Sequence, residues 1–143
     1  MIAFDTNILF AALETSSPDH AAARAWLSTP PGDDEVVLCE LVLLEVYTLL
    51  RNPTLCRKPL TGRQAVQAIQ HLRQHPAWRL VDYDPSVADQ IWPLAARDSF
   101  VYRRIFDARL ALTLRHHGVT DFATCNVKDF QDIGFRKVWN PLA

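Results

Sequence analysis

Cysteine is scarce in this chain: Cys39, Cys56 and Cys125 are odd in number and widely spaced. That arrangement excludes a disulfide framework or a zinc knuckle and favours a reducing compartment. Long apolar runs are missing too. The most apolar stretch, VVLCELVLLEVYTLL (36–50), carries Glu40 and Glu45. It falls short of the roughly 20 apolar residues that cross a bilayer. Asp5 and Glu14 interrupt the N-terminus where a signal peptide needs an unbroken apolar stretch. A soluble, cytoplasmic protein with no membrane partner is expected. Positive charge is not in excess either: the net charge is −1, so the total implies no polyanion partner. No repeat, low-complexity tract or linker is visible. The 143 residues suit a single domain, 1–143, long enough to bury a core.

What is present is informative. Hydrophobic residues make up 49% and charged residues 22%, the balance of a globular chain. Charge is sorted unevenly: residues 1–50 hold eight acids and one base, Arg24, whereas residues 51–143 hold fourteen bases and eight acids. An acidic site beside a basic surface is one reading, and chance sorting of surface charge is the other.

Periodicity and breakers divide the chain into alternating elements. MIAF reads as a strand, 8–13 and 19–27 as helices, the second capped by Ser17 or Asp19 around Pro18. The stretch 28–35 reads as a loop. VVLC (36–39) is a second strand, and 40–51 a helix that stops before Pro53. Residues 51–62 are a loop. A helix begins at Thr61 or Gly62 and runs through His75. A third strand covers 78–83, and a helix from Pro85 is kinked or shortened by Pro93. Residues 97–104 are ambiguous. Residues 105–118 form an amphipathic helix ending in glycine, 121–125 a fourth strand, NVKDFQDI a helical turn and 136–139 an edge strand. Short apolar strands alternating with helices predict an α/β fold with a parallel sheet covered on both faces. Ligands of such sheets bind beyond the carboxyl ends of the strands.

Asp5 stands at such an end, followed by Thr6 and Asn7. Glu45 shares a helical stripe with Val42, Val46 and Leu49, where a carboxylate is costly unless partnered. Asp107 opens the helix 105–118, and Asn126 and Asp129 follow the fourth strand. Each acid has a plain alternative. Asp5 could cap the next helix, Asp107 could favour a helix dipole, Glu45 could pair with Arg51 or Arg109, and Asp129 could be a solvated turn residue. Jointly, such carboxylates repel one another unless a cation lies between them. Mg²⁺, or Mn²⁺ in its place, suits an oxygen-only donor set. His116 and His117 are adjacent and read as surface residues.

DTNIL, ELVLLEVYTLLRNP and IFDARLALTLRHHGVTDFATCNVKDF, in this order, resemble the PIN domain family over nearly the whole chain. Within it, the chain resembles the VapC-type toxins of bacterial toxin–antitoxin pairs. The resemblance implies a three-layer α/β/α fold with a central parallel sheet of four to five strands. It implies a Mg²⁺-dependent endoribonuclease that hydrolyses RNA by metal-activated water and leaves 5′-phosphate and 3′-hydroxyl ends. Asp5, Glu45 and Asp107 match three family acids, with Asp5 and Asp107 the implied metal ligands. The fourth position departs: many members carry Asp where Asn126 stands, and Asp129 offers a carboxylate one turn later. Glu45 and Asp129 would complete the site. Thr6, Asn7, Thr124 and Asn126 match supporting positions. Arg103, Arg104, Arg109 and Lys128 are candidate RNA contacts, with solvated helix charge as the alternative.

A cognate antitoxin and a homodimer, or a toxin–antitoxin hetero-oligomer, are also implied. Tyr47, Leu50, Leu55, Trp26 and Trp92 are the apolar residues a dimer surface would draw on. Three other functions compete. A haloacid-dehalogenase-type phosphatase needs a second Asp where Asn7 stands. A response-regulator receiver needs an acidic pair after strand 1, which is missing. An RNA- or protein-binding module without turnover has no use for a costly acid cluster.

Overall fold

The strands are only three or four residues long. The computed structural model describes residues 1–29 and 34–143. They contain β1 (Ile2–Phe4), β2 (Val36–Cys39), β3 (Trp78–Val81), β4 (Asp121–Ala123) and β5 (Lys137–Trp139). All pairings are parallel, in the order β3-β2-β1-β4-β5. β1, β2 and β4 are buried along their whole length, as their unbroken apolar runs require. The expected parallel α/β sheet is present, with five strands.

Six helices connect them: α1 (Thr6–Leu13), α2 (His20–Ser28), α3 (Glu40–Leu50), α4 (Gly62–Arg73), α5 (Ala88–Ala95) and α6 (Ile105–His116). The chain moves outward from β1 to β3, then returns through α5 and α6 to β4 on the other side of β1. Right-handed crossovers therefore place the helices of the outward and return paths on opposite faces. The strand order reverses between β1 and β4, and the crevice there is where parallel sheets take ligands.

Several boundaries differ from those expected. α1 starts two residues early, because the Asp5 side chain caps it by accepting from Thr6 N at 2.8 Å. β3 stops at Val81, since its only neighbour β2 ends at Cys39 and leaves Asp82 and Tyr83 nothing to pair with. β4 stops at Ala123 opposite Phe4, the last residue of β1. Asp19 caps α2 by position only, without a side-chain bond. Pro93 does not prevent α5, which ends two residues later at Ala95. α6 is not amphipathic: Ala108 and Leu110 through Leu114 are all buried. Thr61 and Gln64 form a reciprocal capping box on α4. The expected 28–35 loop lies partly outside the described residues.

The core gathers both sheet faces around Phe4, Val37, Leu38 and Phe122. Phe122 meets Phe130 at 4.8 Å and Phe135 at 5.2 Å between ring centroids. Trp26 joins this core through edge contacts with Phe4 and Trp139, and Leu50 is buried. Those two are therefore not surface residues, whereas Leu55 and Trp92 are exposed. Among the described residues, no helix is long and apolar enough to cross a membrane.

Candidate active site

Asp5 is 7% exposed at the carboxyl end of the central strand. Its Oδ2 accepts from Thr124 Oγ1 at 2.7 Å and from Asn7 Nδ2 at 3.4 Å. The Asn7 amide also donates to Thr124 Oγ1, while its Oδ1 accepts from Cys125 N at 3.2 Å. Thr124 Oγ1 accepts in turn from Asn126 N at 3.0 Å. Thus β1 and β4 are tied at their ends by side chains that continue the backbone ladder, and Asp5 is fixed in one rotamer.

Asp5 lines an open pocket of about 490 Å³ with Glu45, Asp107 and Asn126. Asp107 reaches it from the first turn of α6. Glu45 reaches it from α3, but not from the core stripe expected. α3 buries Val42, Leu43, Val46 and Leu50, whereas Glu45 is exposed and shares the pocket wall with Leu49 one turn on. Among the described residues it forms no salt bridge, with Arg51 or any other cation. Asn126 is exposed on the pocket wall. Asp129 stands behind it, one short 3-10 turn on, and its backbone carbonyl accepts from Arg104 Nη2 at 2.7 Å.

The electrostatics record how close these acids are. Burial pushes the Asp107 carboxyl up to about 6, aided by the charges of Asp5, Asp129 and Glu45 and opposed by Arg104. Burial also raises the Asp5 carboxyl; the bonds from Thr124 and Thr6 lower it, and Glu45 and Asp129 add repulsion. Asp5 and Asp107 therefore each feel the charges of Glu45 and Asp129.

The basic residues divide. Arg104 lies close enough to Asp107 to ease its ionisation. Arg103 is exposed and covers Tyr102, and Lys128 is exposed on the turn after β4. Arg109 lines a different hollow, with Trp92, Ile91 and Tyr83, and lies over Phe106. As i+2 to Asp107 on a helix, it points to another side. His116 and His117 stand at the far end of α6, against Asp84 and Asp82.

The pocket also takes in Ser17 and Asp19, which the sequence offers only as helix caps, and Cys125, which it offers only as a free thiol. Asp19 and Asp5 contribute, after burial, to holding the Cys125 thiol above its usual range. The SSPDH loop gives no periodic signal that would have placed Asp19 there.

The donors fit a hard divalent cation. The carboxylates of Asp5 and Asp107 offer oxygen donors, and the buried Thr6 hydroxyl beside Asp5 lacks a hydrogen-bond partner. Among the described residues, no group of three or more carboxylate, imidazole or thiol side chains is arranged to hold one ion.

Residues 2–136 match the model of the PIN domain family. The chain belongs to the PIN domain family. This PIN domain is 49% identical over 142 residues to Ribonuclease VapC24 of Mycobacterium tuberculosis, covering 99% of the chain and 97% of the relative. It is 30% identical over 152 residues to Ribonuclease VapC48 of the same organism, covering 98% and 97%. Among solved structures, VapC20 of Mycobacterium tuberculosis, a toxin that cleaves the sarcin–ricin loop, superposes with a TM-score of 0.63 at 26% identity. That match covers 85% of this PIN domain and 87% of VapC20.

Thr124 is the residue on which this PIN domain's pocket geometry hangs. Thr124→Val should leave Asp5 Oδ2 and Asn126 N short of a partner. Stability should fall by about 1–3 kcal/mol, and Thr124→Ser should restore most of it. Urea denaturation of the three proteins checks this; equal midpoints would show that the Thr124 hydroxyl contributes nothing.

Proposed function

We propose that the chain is the toxin of a toxin–antitoxin pair, an endoribonuclease that depends on Mg²⁺ or on Mn²⁺ in its place. The observation that carries this reading is the crowding of Asp5 and Asp107, with Glu45 and Asp129 near them, at the β1–β4 crevice. The names of the two Mycobacterium tuberculosis ribonucleases support it.

Asp5 and Asp107 would hold the metal, through one oxygen each or through its waters. When bound, the ion supplies an acidified water and offsets charge on the phosphate. Thr124, Asn7 and the α1 N-terminus hold Asp5 in position, so its carboxylate need not reorganise on binding. Glu45, which forms no salt bridge among the described residues, would orient the attacking water. Arg104 moderates the negative potential that would otherwise repel an RNA phosphate. No histidine lies in the pocket, and none is needed as base, since the carboxylates can take the water's proton. The products would carry 5′-phosphate and 3′-hydroxyl ends.

An antitoxin bound here would bring a basic side chain toward Asp5, Glu45 and Asp107 and cover the crevice. A homodimer would set two such sites along one RNA groove.

The direct test is incubation of the purified chain with total RNA in Mg²⁺ and in chelator, followed by sequencing of the new 5′ ends. Discrete cuts in Mg²⁺ alone are expected. Cleavage that persists in chelator, or none in either, would refute the reading.

A further test separates the two residues competing for the fourth position. Asp129→Ala should slow cleavage about tenfold or more, since its charge reaches both Asp5 and Asp107. Asp132→Ala, exposed and away from the pocket, should change it little. Equal, mild effects would assign the position to Asn126.

A further inference from the structure

A second cavity, of about 500 Å³, opens where the C-terminal ends of α1 and α3 meet the loop 51–60. It is separate from the acid pocket but continuous with it along the chain. Ala11, Leu49 and Leu55 wall the acid pocket. Leu13, Leu50 and Cys56, one or two residues farther along the same three segments, wall this cavity. Asp5 and Glu14 bracket α1, so these two acids stand roughly 13 Å apart along it at the helical rise per residue.

Its lining has three parts with different chemistry. Leu13, Leu50 and Leu60 form an apolar floor suited to a flat ring. Arg57 and Lys58 are exposed at the mouth and suit a phosphate. Glu14 stands between them. Its Oε1 accepts from Ser16 N at 3.2 Å and Ser16 Oγ at 2.8 Å, and the Cys56 thiol lies beside the same carboxylate. The Cys56 thiol and the Ser16 hydroxyl hold this carboxyl below its usual range, so it stays an acceptor. A carboxylate repels phosphate and base carbonyls and accepts only N–H or O–H donors.

We propose that this cavity is a nucleotide subsite of the RNA substrate. It takes one unpaired base near, but not at, the scissile bond. Arg57 and Lys58 hold its phosphate, and Glu14 reads a base edge rich in donors, guanine foremost. Guanine presents adjacent N–H groups on its Watson–Crick edge, whereas the single donor of uracil is flanked by carbonyls that Glu14 repels. The inference rests on the ribonuclease reading and names where its sequence preference arises. A protein helix is the poorer occupant, because it needs an extended apolar groove, and here the mouth is charged on both sides.

The test uses the full chain labelled with ¹⁵N and titrated with guanosine 5′-monophosphate or uridine 5′-monophosphate. Guanosine monophosphate should shift the amides of residues 13–15 and 56–60 and bind about fivefold or more tightly than the uridine nucleotide. Glu14→Gln should abolish that difference, and Arg57→Ala with Lys58→Ala should weaken both. In cleavage of a random single-stranded pool, Glu14→Gln should flatten the base preference at one position by about 5- to 150-fold.

Absence of shifts in these segments, or equal binding that Glu14→Gln leaves unaltered, overturns the subsite. So does an antitoxin peptide that shifts them when guanosine monophosphate does not. RNA cleavage with none of these effects sinks the subsite alone. Guanosine binding here in a chain that cleaves no RNA sinks the ribonuclease reading and, with it, the assignment of the cavity to an RNA substrate.

Discussion

Asp5→Asn is expected to reduce Mg²⁺-dependent RNA cleavage by at least about a hundredfold while the protein stays folded. The asparagine side chain keeps the shape of aspartate, and its one carbonyl oxygen can still accept from Thr6 N, while its amide faces Thr124 Oγ1, a hydroxyl that can turn to accept. What it loses is the charge, and charge is what a hard cation requires. The same change removes a buried carboxylate that Glu45 and Asp129 repel, so the metal-free variant should be at least as stable as the parent. Asp107→Asn should behave alike, since its carboxyl is also raised by burial and by the other acids. Cleavage assays paired with thermal denaturation check both halves. Cleavage at the parental rate in either variant would remove that residue from the mechanism. Loss of cleavage together with loss of fold would make its role structural.

The second large effect is an inverted response to pH. Folding raises the carboxyl groups of Asp5 and Asp107 above the ordinary range, Asp107 to about 6. Between about 4 and 6 the folded state therefore binds more protons than the unfolded chain, and stability falls as pH rises through that window. Above it the repulsion is fully present. Asp121 and Asp84 are lowered by Arg136 and Ser86 respectively, and their contributions are lost only as pH drops below the carboxylate range. The metal-free protein should thus have a Tm at pH 5 about 3–6 °C above that at pH 7.5. Mg²⁺ should reverse the order, because it binds the ionised carboxylates and stabilises the folded state by mass action. Scanning calorimetry at the two pH values, with and without Mg²⁺, checks this. A Tm that rises with pH in the metal-free protein would show that the acids do not repel one another as placed.

The parallel sheet was legible because its inner strands are buried on both faces and so read as unbroken apolar runs. MIAF and VVLC could hardly be anything else. Asp5 was legible for the same reason, as a carboxylate that ends such a run. Glu45 was assigned to the right pocket for the wrong reason. Leu49 looked like core, so Glu45 seemed to share a core stripe, yet α3 has one face on the core and an adjacent face on the crevice. A single sequence cannot tell two neighbouring apolar faces apart when both carry leucine. Arg109 failed similarly, since nearness to Asp107 in sequence hides a turn of about 200° around the helix. α6 seemed amphipathic, but the return crossover buries it almost all round. Asp19 escaped because irregular loops have no period from which direction can be read.

The Asn7 and Thr124 bridge has a consequence for the order of events in the cell. Thr124, whose hydroxyl bonds Asp5, lies 119 positions farther along the chain. A chain still emerging from the ribosome carries Asp5 and Glu45 early but lacks β4, the neighbour that forms one wall of its central strand. Closing so distant a contact is a late and slow step. A partly made polypeptide, or one truncated before Thr124, therefore lacks the bond that fixes Asp5, and should complete the pocket only when synthesis is nearly finished.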